Sequence, residues 1–383
     1  MRSSLLSATL AISAGVSALP QNLPGSKGAP PAIPLQNFDT KKFTKLFTLD
    51  DILNGLFKVN LTEAVNDIKG TVDDLLTGGS AKETSETSDT STFRTFAAED
   101  EVVSVAATCS NPRVRTEWDS YSDSDRQAYV SAIKCLQGKA PSGQFGQSKS
   151  RYEDLVALHQ TLTPNVHGNA KFLVWHRYYL WTFEDILRSE CGFDRNLPWF
   201  DETRYAGRYS QSSIFSSQWY GAIGLGGNCV TDGQFANLAI NVGPGTDNYV
   251  HCLARNGDAS KTQYTSQAMV DACNDQTDYA SMASCQEGGA HAWGHNGIGA
   301  VMQDVYASPA DPVFWLHHAF IDRNLRIWQN RDSSRINNVD GNDAAGNALT
   351  LDTTVNVYDF RPTVRIRDLL DTTSTTLCYK YDY

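Results

Sequence analysis

The stretch Phe172-Leu-Val-Trp-His176-Arg-Tyr-Tyr-Leu180-Trp-Thr-Phe183-Glu184 decides how this chain folds. Phe172, His176, Leu180 and Phe183 recur at steps of four and three, so on an α-helix they share one face. That face is apolar except for His176. An imidazole buried there without a partner costs roughly 1–3 kcal/mol, and a metal ion is one such partner. A second stretch has the same design. In Asp311-Pro-Val-Phe314-Trp-Leu-His317-His318-Ala-Phe-Ile321-Asp322, the residues Phe314, His318 and Ile321 follow one face that continues to Leu325 and Trp328. His317 points about 100° away. His318 is therefore the candidate ligand, and His317 is read as packing or supporting it. Asp322, one turn on, is read as a group that orients His318 or a neighbouring imidazole.

Outward from these stretches, 3.6-residue apolar spacing predicts helices over 126–137, 152–162, 170–188 and 314–330. Long Gly/Asn/Ser-rich loops separate them, notably 205–250. Residues 354–358 and 363–366 read as short strands. No repeat is visible. The fold class read from the spacing is mainly α.

Seven of the eight histidines fall in two compact groups, and His251 stands apart. His159, His167 and His176 make one. His291 and His295, four apart and so on one helical face, make the other with His317 and His318. Two sets of three imidazoles suit copper or zinc. Three protein ligands leave a position open, as catalytic metal sites require. Neither group contains an H-E-x-x-H sequence.

At these residues the chain resembles a known family. His167-x4-Phe172-Leu-Val-Trp175-His176-Arg177-x2-Leu180-x3-Glu184 is similar to the first copper signature of the tyrosinases and catechol oxidases. Asp311-Pro312-x-Phe314-Trp315-x2-His318-x3-Asp322 is similar to the second. The resemblance covers residues 109–383. It implies a four-helix bundle holding a binuclear type-3 site, with two copper ions per chain. His159, His167 and His176 would bind one ion; His291, His295 and His318 would bind the other. It also implies that dioxygen oxidises o-diphenols to o-quinones there. Cys378-Tyr379-Lys380-Tyr381 resembles the tyrosine motif that closes the family's core, and Arg115 is expected to meet one of its tyrosines. Only two residues follow that motif, so no C-terminal shielding domain is expected.

Hydroxylation of monophenols needs a base near the metals. Glu287 stands four residues before His291, where relatives place a carboxylate that holds a water. Asn296 follows His295, where an Asn helps orient that water. Val305 resembles the gate position above the copper. Many fungal relatives carry a cysteine two residues before the second histidine and form a thioether to it. Asn165 stands there, so His167 is expected to be held by its loop alone. Two other functions share these residues: a haemocyanin-like dioxygen carrier and, against both signatures, a secreted zinc hydrolase.

The formal net charge of -11 offers no basic face for nucleic acid, and no apolar run of membrane-spanning length occurs. Small phenols and dioxygen are the expected partners; oligomeric state is not legible. Arg2, the apolar run 5–16 and the small residues Val16-Ser17-Ala18 read as a signal peptide over 1–18. Residues 19–108 read as a linker and accessory or propeptide-like segment, with 78–95 too polar to order. The chain is accordingly expected to be secreted. Asn60-Leu61-Thr62 is its N-glycosylation triplet. All eight cysteines lie after that segment, none in a C-x-x-C pair, and in a secreted chain an even count favours disulfides.

Overall fold

The structure, a computed structural model, describes residues 108–383. The expected signal peptide, the segment 19–107 and the Asn60 triplet lie outside the described residues.

Three long helices come first. α1 (Asp123–Gly138), α2 (Arg151–Val166) and α3 (Phe172–Cys191) start and stop where local chemistry dictates. Ser122 and Ser150 cap α1 and α2, each accepting a backbone N–H of the first turn. Gly192, at φ 65°, ends α3 in the left-handed conformation that a glycine adopts freely. Four short helices follow the long loop: α4 (Ala259–Thr262), α5 (Gln267–Asn274), α6 (Tyr279–Gln286) and α7 (Ala292–Ile298). α8 (Val313–Asn330) is the last long helix, and α9 (Arg367–Leu370) lies near the end. α3 packs against α1, α2 and α8. Phe172, Leu180, Phe183 and Leu187 of α3 are fully or almost fully buried, each stabilising the bundle by about 1.5–3 kcal/mol. The Phe183 and Trp315 rings stack at 3.8 Å and join α3 to α8. Trp315 donates to the Tyr152 hydroxyl at 2.9 Å, which brings α2 to the same layer. The kinked segment from α6 through α7 packs on α8 through residues 287–291 and, with α2, α3 and α8, makes the bundle's four members, α1 lying outside against α2 and α3.

A small sheet closes the domain. β1 (Arg113–Glu117) lies between β2 (Pro198–Trp199) and β7 (Tyr379–Tyr381), parallel to both. β3 (Ala239–Ile240) pairs antiparallel with β4 (His251–Cys252), and β5 (Thr354–Val355) with β6 (Val364–Arg365). The last pair falls inside the two expected strands. All eight cysteines are paired: 109–378, 135–191, 229–252 and 273–285. The first bridge spans 269 residues and ties β1 to β7.

In β1 the inward positions carry charge. Arg115 is fully buried and bonds Glu184 of α3 at 3.0 Å, Asp322 of α8 at 3.1 Å and the Tyr381 hydroxyl at 2.9 Å. Its guanidinium sits 3.5 Å over the Tyr379 ring. Arg177 binds the other Asp322 oxygen at 2.6 Å, and both tyrosine hydroxyls donate to Asp322 at 2.5 Å. Burial alone would raise both carboxyls, but Arg177 and Arg115 hold Asp322 below its ordinary range, and Arg115 and Arg113 do the same for Glu184. Asp322 therefore meets two guanidinium groups and two phenols rather than an imidazole. Arg115 meets both tyrosines of the closing motif.

Candidate metal centre

Six imidazoles project into the space between α2, α3, α7 and α8. His159 comes from the third turn of α2, and His167 is the residue that caps the α2 C-terminus in extended conformation. His176 lies on α3, and His318 on α8. His291 ends a π-helical turn, Glu287–His291, which carries a non-helical Gly289, and His295 follows on α7. All six are buried; His167, at 9%, is the most exposed.

Five of the six use Nδ1 on the protein. Facing a carbonyl, an imidazole nitrogen must be the donor. Nδ1 of His159 donates to the Tyr306 carbonyl at 2.9 Å, and that of His176 to Phe172 at 2.8 Å. Nδ1 of His291 donates to Glu287 at 3.0 Å, and that of His295 to Met302 at 2.6 Å. His167 Nδ1 lies 3.2 Å from the Glu287 carboxyl. His318 Nδ1 has no acceptor among the described residues. These bonds fix the tautomer and leave Nε2 with its lone pair.

The Nε2 atoms converge. His159 Nε2 lies 3.3 Å from that of His167 and 3.4 Å from that of His176; His295 and His318 stand 3.2 Å apart. Two nitrogens on one metal at about 2.0–2.1 Å, in a tetrahedral arrangement, lie about 3.3–3.4 Å apart. Lone pairs facing each other at this distance repel, and a cation between them removes the repulsion. The donor set fits copper, for which imidazole is a suitable ligand. The two groups adjoin, with the His176 and His318 rings stacked at 4.7 Å. Burial holds His167 at about 3, and burial with the neighbouring His167 holds His159 at about 3. His176, His291, His295 and His318 are likewise held well below 6.5, chiefly by burial. Neutral imidazole is the form that binds a metal.

His167 is held by more than its loop. One Glu287 oxygen meets both His167 Nδ1 and, at 2.9 Å, the backbone N–H of Gly168. That carboxylate grips the residue which in many relatives a thioether holds. Burial raises the Glu287 carboxyl, with the Gly168 bond opposing. Asn296 is buried on α7 directly after His295. Val305 is buried against Ala292 and the half-buried Tyr306. His251 stays apart on β4, its Nδ1 donating to the Tyr249 carbonyl.

Sequence reasoning missed the supports. The loop after α7 supplies the Met302 and Tyr306 carbonyls to one histidine of each triad, and no side-chain pattern announces a backbone acceptor. It also missed Glu202, whose Oε1 lies 2.6 Å from His317 Nδ1, both side chains being fully buried. Gly294 makes room for that ring: a Cβ there would come within 2.5 Å of His317 Cε1.

Among the described residues, no helix is long and apolar enough to cross a membrane. Residues 149–331 match the common central domain of tyrosinase. Tyrosinase P of Aspergillus terreus is 31% identical over 278 residues, covering 59% of this chain and 78% of that protein. The N-acetyl-6-hydroxytryptophan oxidase of Emericella nidulans is 30% identical over 339 residues, covering 71% of this chain and 93% of that protein. Among solved structures, a polyphenol oxidase mutant from Thermothelomyces thermophila superposes with a TM-score of 0.65 at 26% identity, over 71% of this chain and 89% of that one. With two imidazole triads that include the signature residues His167, His176 and His318, these matches show that the chain belongs to the type-3 copper polyphenol oxidases, the tyrosinase family.

Proposed function

We propose that the protein uses dioxygen to oxidise o-diphenols to o-quinones at two copper ions. One observation carries the reading: two adjoining triads of neutral, buried imidazoles turn their Nε2 atoms inward. His159, His167 and His176 would hold one ion, and His291, His295 and His318 the other. Copper bound there supplies the electron-transfer chemistry. Two diphenols give up two electrons and two protons each, and dioxygen leaves as two waters. The chain keeps the imidazoles aimed through their Nδ1 bonds and shields them from bulk water. His167, at the most exposed edge, marks the side from which a phenol approaches.

Monophenol hydroxylation is the second part of the proposal. Glu287 Oε1 is committed to His167 and Gly168, which leaves Oε2 to accept a phenol proton through a water oriented by Asn296. Val305 gates the approach, and its small side chain admits larger phenols. The eight paired cysteines support export to an oxidising compartment; sequencing the N-terminus of the exported protein tests removal of residues 1–18.

Oxygen uptake by copper-loaded protein, with catechol and separately with the monophenol tyrosol, tests the activity. Uptake with both supports the full proposal. Uptake with catechol alone removes the hydroxylase part. Reversible oxygen binding without quinone indicates a carrier, and active protein holding zinc without copper ends the copper reading.

A further inference from the structure

The second metal position has four imidazoles around it, not three. Ring nitrogens of His291, His295, His317 and His318 lie within 4.8 Å of one another, all buried. Four imidazoles on one ion would make a closed, structural site, whereas a site that binds dioxygen needs an open position. His318 Nε2 lies 3.2 Å from that of His295. His317 precedes His318 on α8, about 100° round the helix, and there its Nδ1 meets Glu202 Oε1 at 2.6 Å. Glu202 is anchored in turn, because its Oε2 accepts the Tyr209 hydroxyl at 2.6 Å, and that hydroxyl meets Thr265 Oγ1 at 2.9 Å. Glu202, Tyr209, Thr265 and His317 are all buried. With Nδ1 bonded to the carboxylate, His317 Nε2 carries the lone pair, and no group among the described residues satisfies it. The ring lies against His295, 4.6 Å between centroids, and against His291, 5.5 Å between centroids.

We propose that Glu202 is a latch that holds His317 away from the second metal and so keeps that metal's open position free. Glu202 is thus a positioning residue, acting through His317 and Tyr209 rather than on substrate. The inference rests on the two-metal reading. Without the latch, His317 is a fully buried imidazole with a lone pair beside a cation, and it joins the other three as a fourth ligand.

The test uses the folded protein with its metals replaced by cobalt(II), whose visible spectrum reports coordination number. Wild type and His317→Gln should give one spectrum, that of three nitrogens with an open position. Glu202→Ala should keep both metals, shift to a four-nitrogen spectrum at one site and, in the copper form, lose at least about tenfold in catechol turnover. Glu202→Gln, whose amide oxygen still accepts from His317, should stay close to wild type. The double variant Glu202→Ala with His317→Gln should return to the open-site spectrum, a rescue that a merely structural role for Glu202 would not produce. A Glu202→Ala spectrum identical to wild type overturns the latch and leaves the two-metal reading intact. So does a double variant that keeps the four-nitrogen signature. Should Glu202→Ala fail to fold, Tyr209→Phe removes one anchor of the latch. A partial four-nitrogen component is then expected, and its absence overturns the proposal. A wild-type protein that takes up no pair of metals overturns both readings.

Discussion

The same two helices, α3 and α8, carry two buried polar clusters that solve opposite problems. His176 and His318 belong to the imidazole cage. Arg177, next along α3, and Asp322, one turn further along α8, belong to the clamp with Arg115, Glu184, Tyr379 and Tyr381. The clamp is complete in itself: each carboxylate faces guanidinium groups that outweigh its burial. The cage is incomplete in itself, since its neutral rings present lone pairs to one another. A buried cluster of neutral rings whose lone pairs face one another marks the candidate metal centre; a cluster of paired charges marks the frame that holds it.

Removing a cage residue should have the largest functional effect. His176→Ala is expected to lose one copper per chain and at least about a hundredfold in turnover, since even outer supports of a metal site are worth up to that factor. Its fold should persist. Elemental analysis with circular dichroism checks this, and unfolding of the variant would erase the distinction between cage and frame.

Acid should separate the regions next. His159 and His167 are neutral in the fold down to about 3, while the unfolded chain takes up those protons below 6.5. Their stabilising contribution is present above pH 6.5 and is lost as pH falls from there toward 3. Asp322 and Glu184 are held below their ordinary 3.8 and 4.5, so the clamp contributes above those values and weakens only below them. Protons therefore reach these imidazoles only where the cage opens, and between 6.5 and 3.8 such local opening should release copper while the clamp still holds the frame. Copper retention and near-ultraviolet dichroism, followed together against pH, would contradict this by showing coincident transitions.

In the frame, Asp322→Ala leaves Arg115 and Arg177 buried without this carboxylate. The expected loss is about 3–5 kcal/mol of stability, read from urea unfolding of the metal-free protein. A smaller effect is expected where cage and protein meet at Glu287. Glu287→Gln should weaken copper at the first site by about 10–100-fold while changing stability far less than Asp322→Ala. Equal effects of the two variants on stability would place Glu287 in the frame.

The sequence-based reading and the structure agree best where one physical signal dominates. The four long helices follow from apolar period, and helix phase together with the family signature made His318 rather than His317 the candidate ligand before any coordinates. The π-turn from Glu287 to His291 could not, because Gly288 and Gly289 carry no side-chain pattern. β1 was equally opaque. Its inward residues are Arg115 and Glu117, the reverse of the usual alternation, and only the family resemblance led to the meeting of Arg115 with a closing tyrosine, Tyr381, 266 residues away. The disulfide pairing needed the fold. The hold of Glu287 on His167 and of Glu202 on His317 joins residues more than 100 positions apart, and only packing brings them together.

The most direct test of the cage is copper titration of the metal-free protein, followed by oxygen uptake with catechol. Saturation at two copper ions per chain is predicted, with one dioxygen consumed for every two catechols oxidised. Saturation at one ion, or two ions with no oxygen consumed, would contradict it.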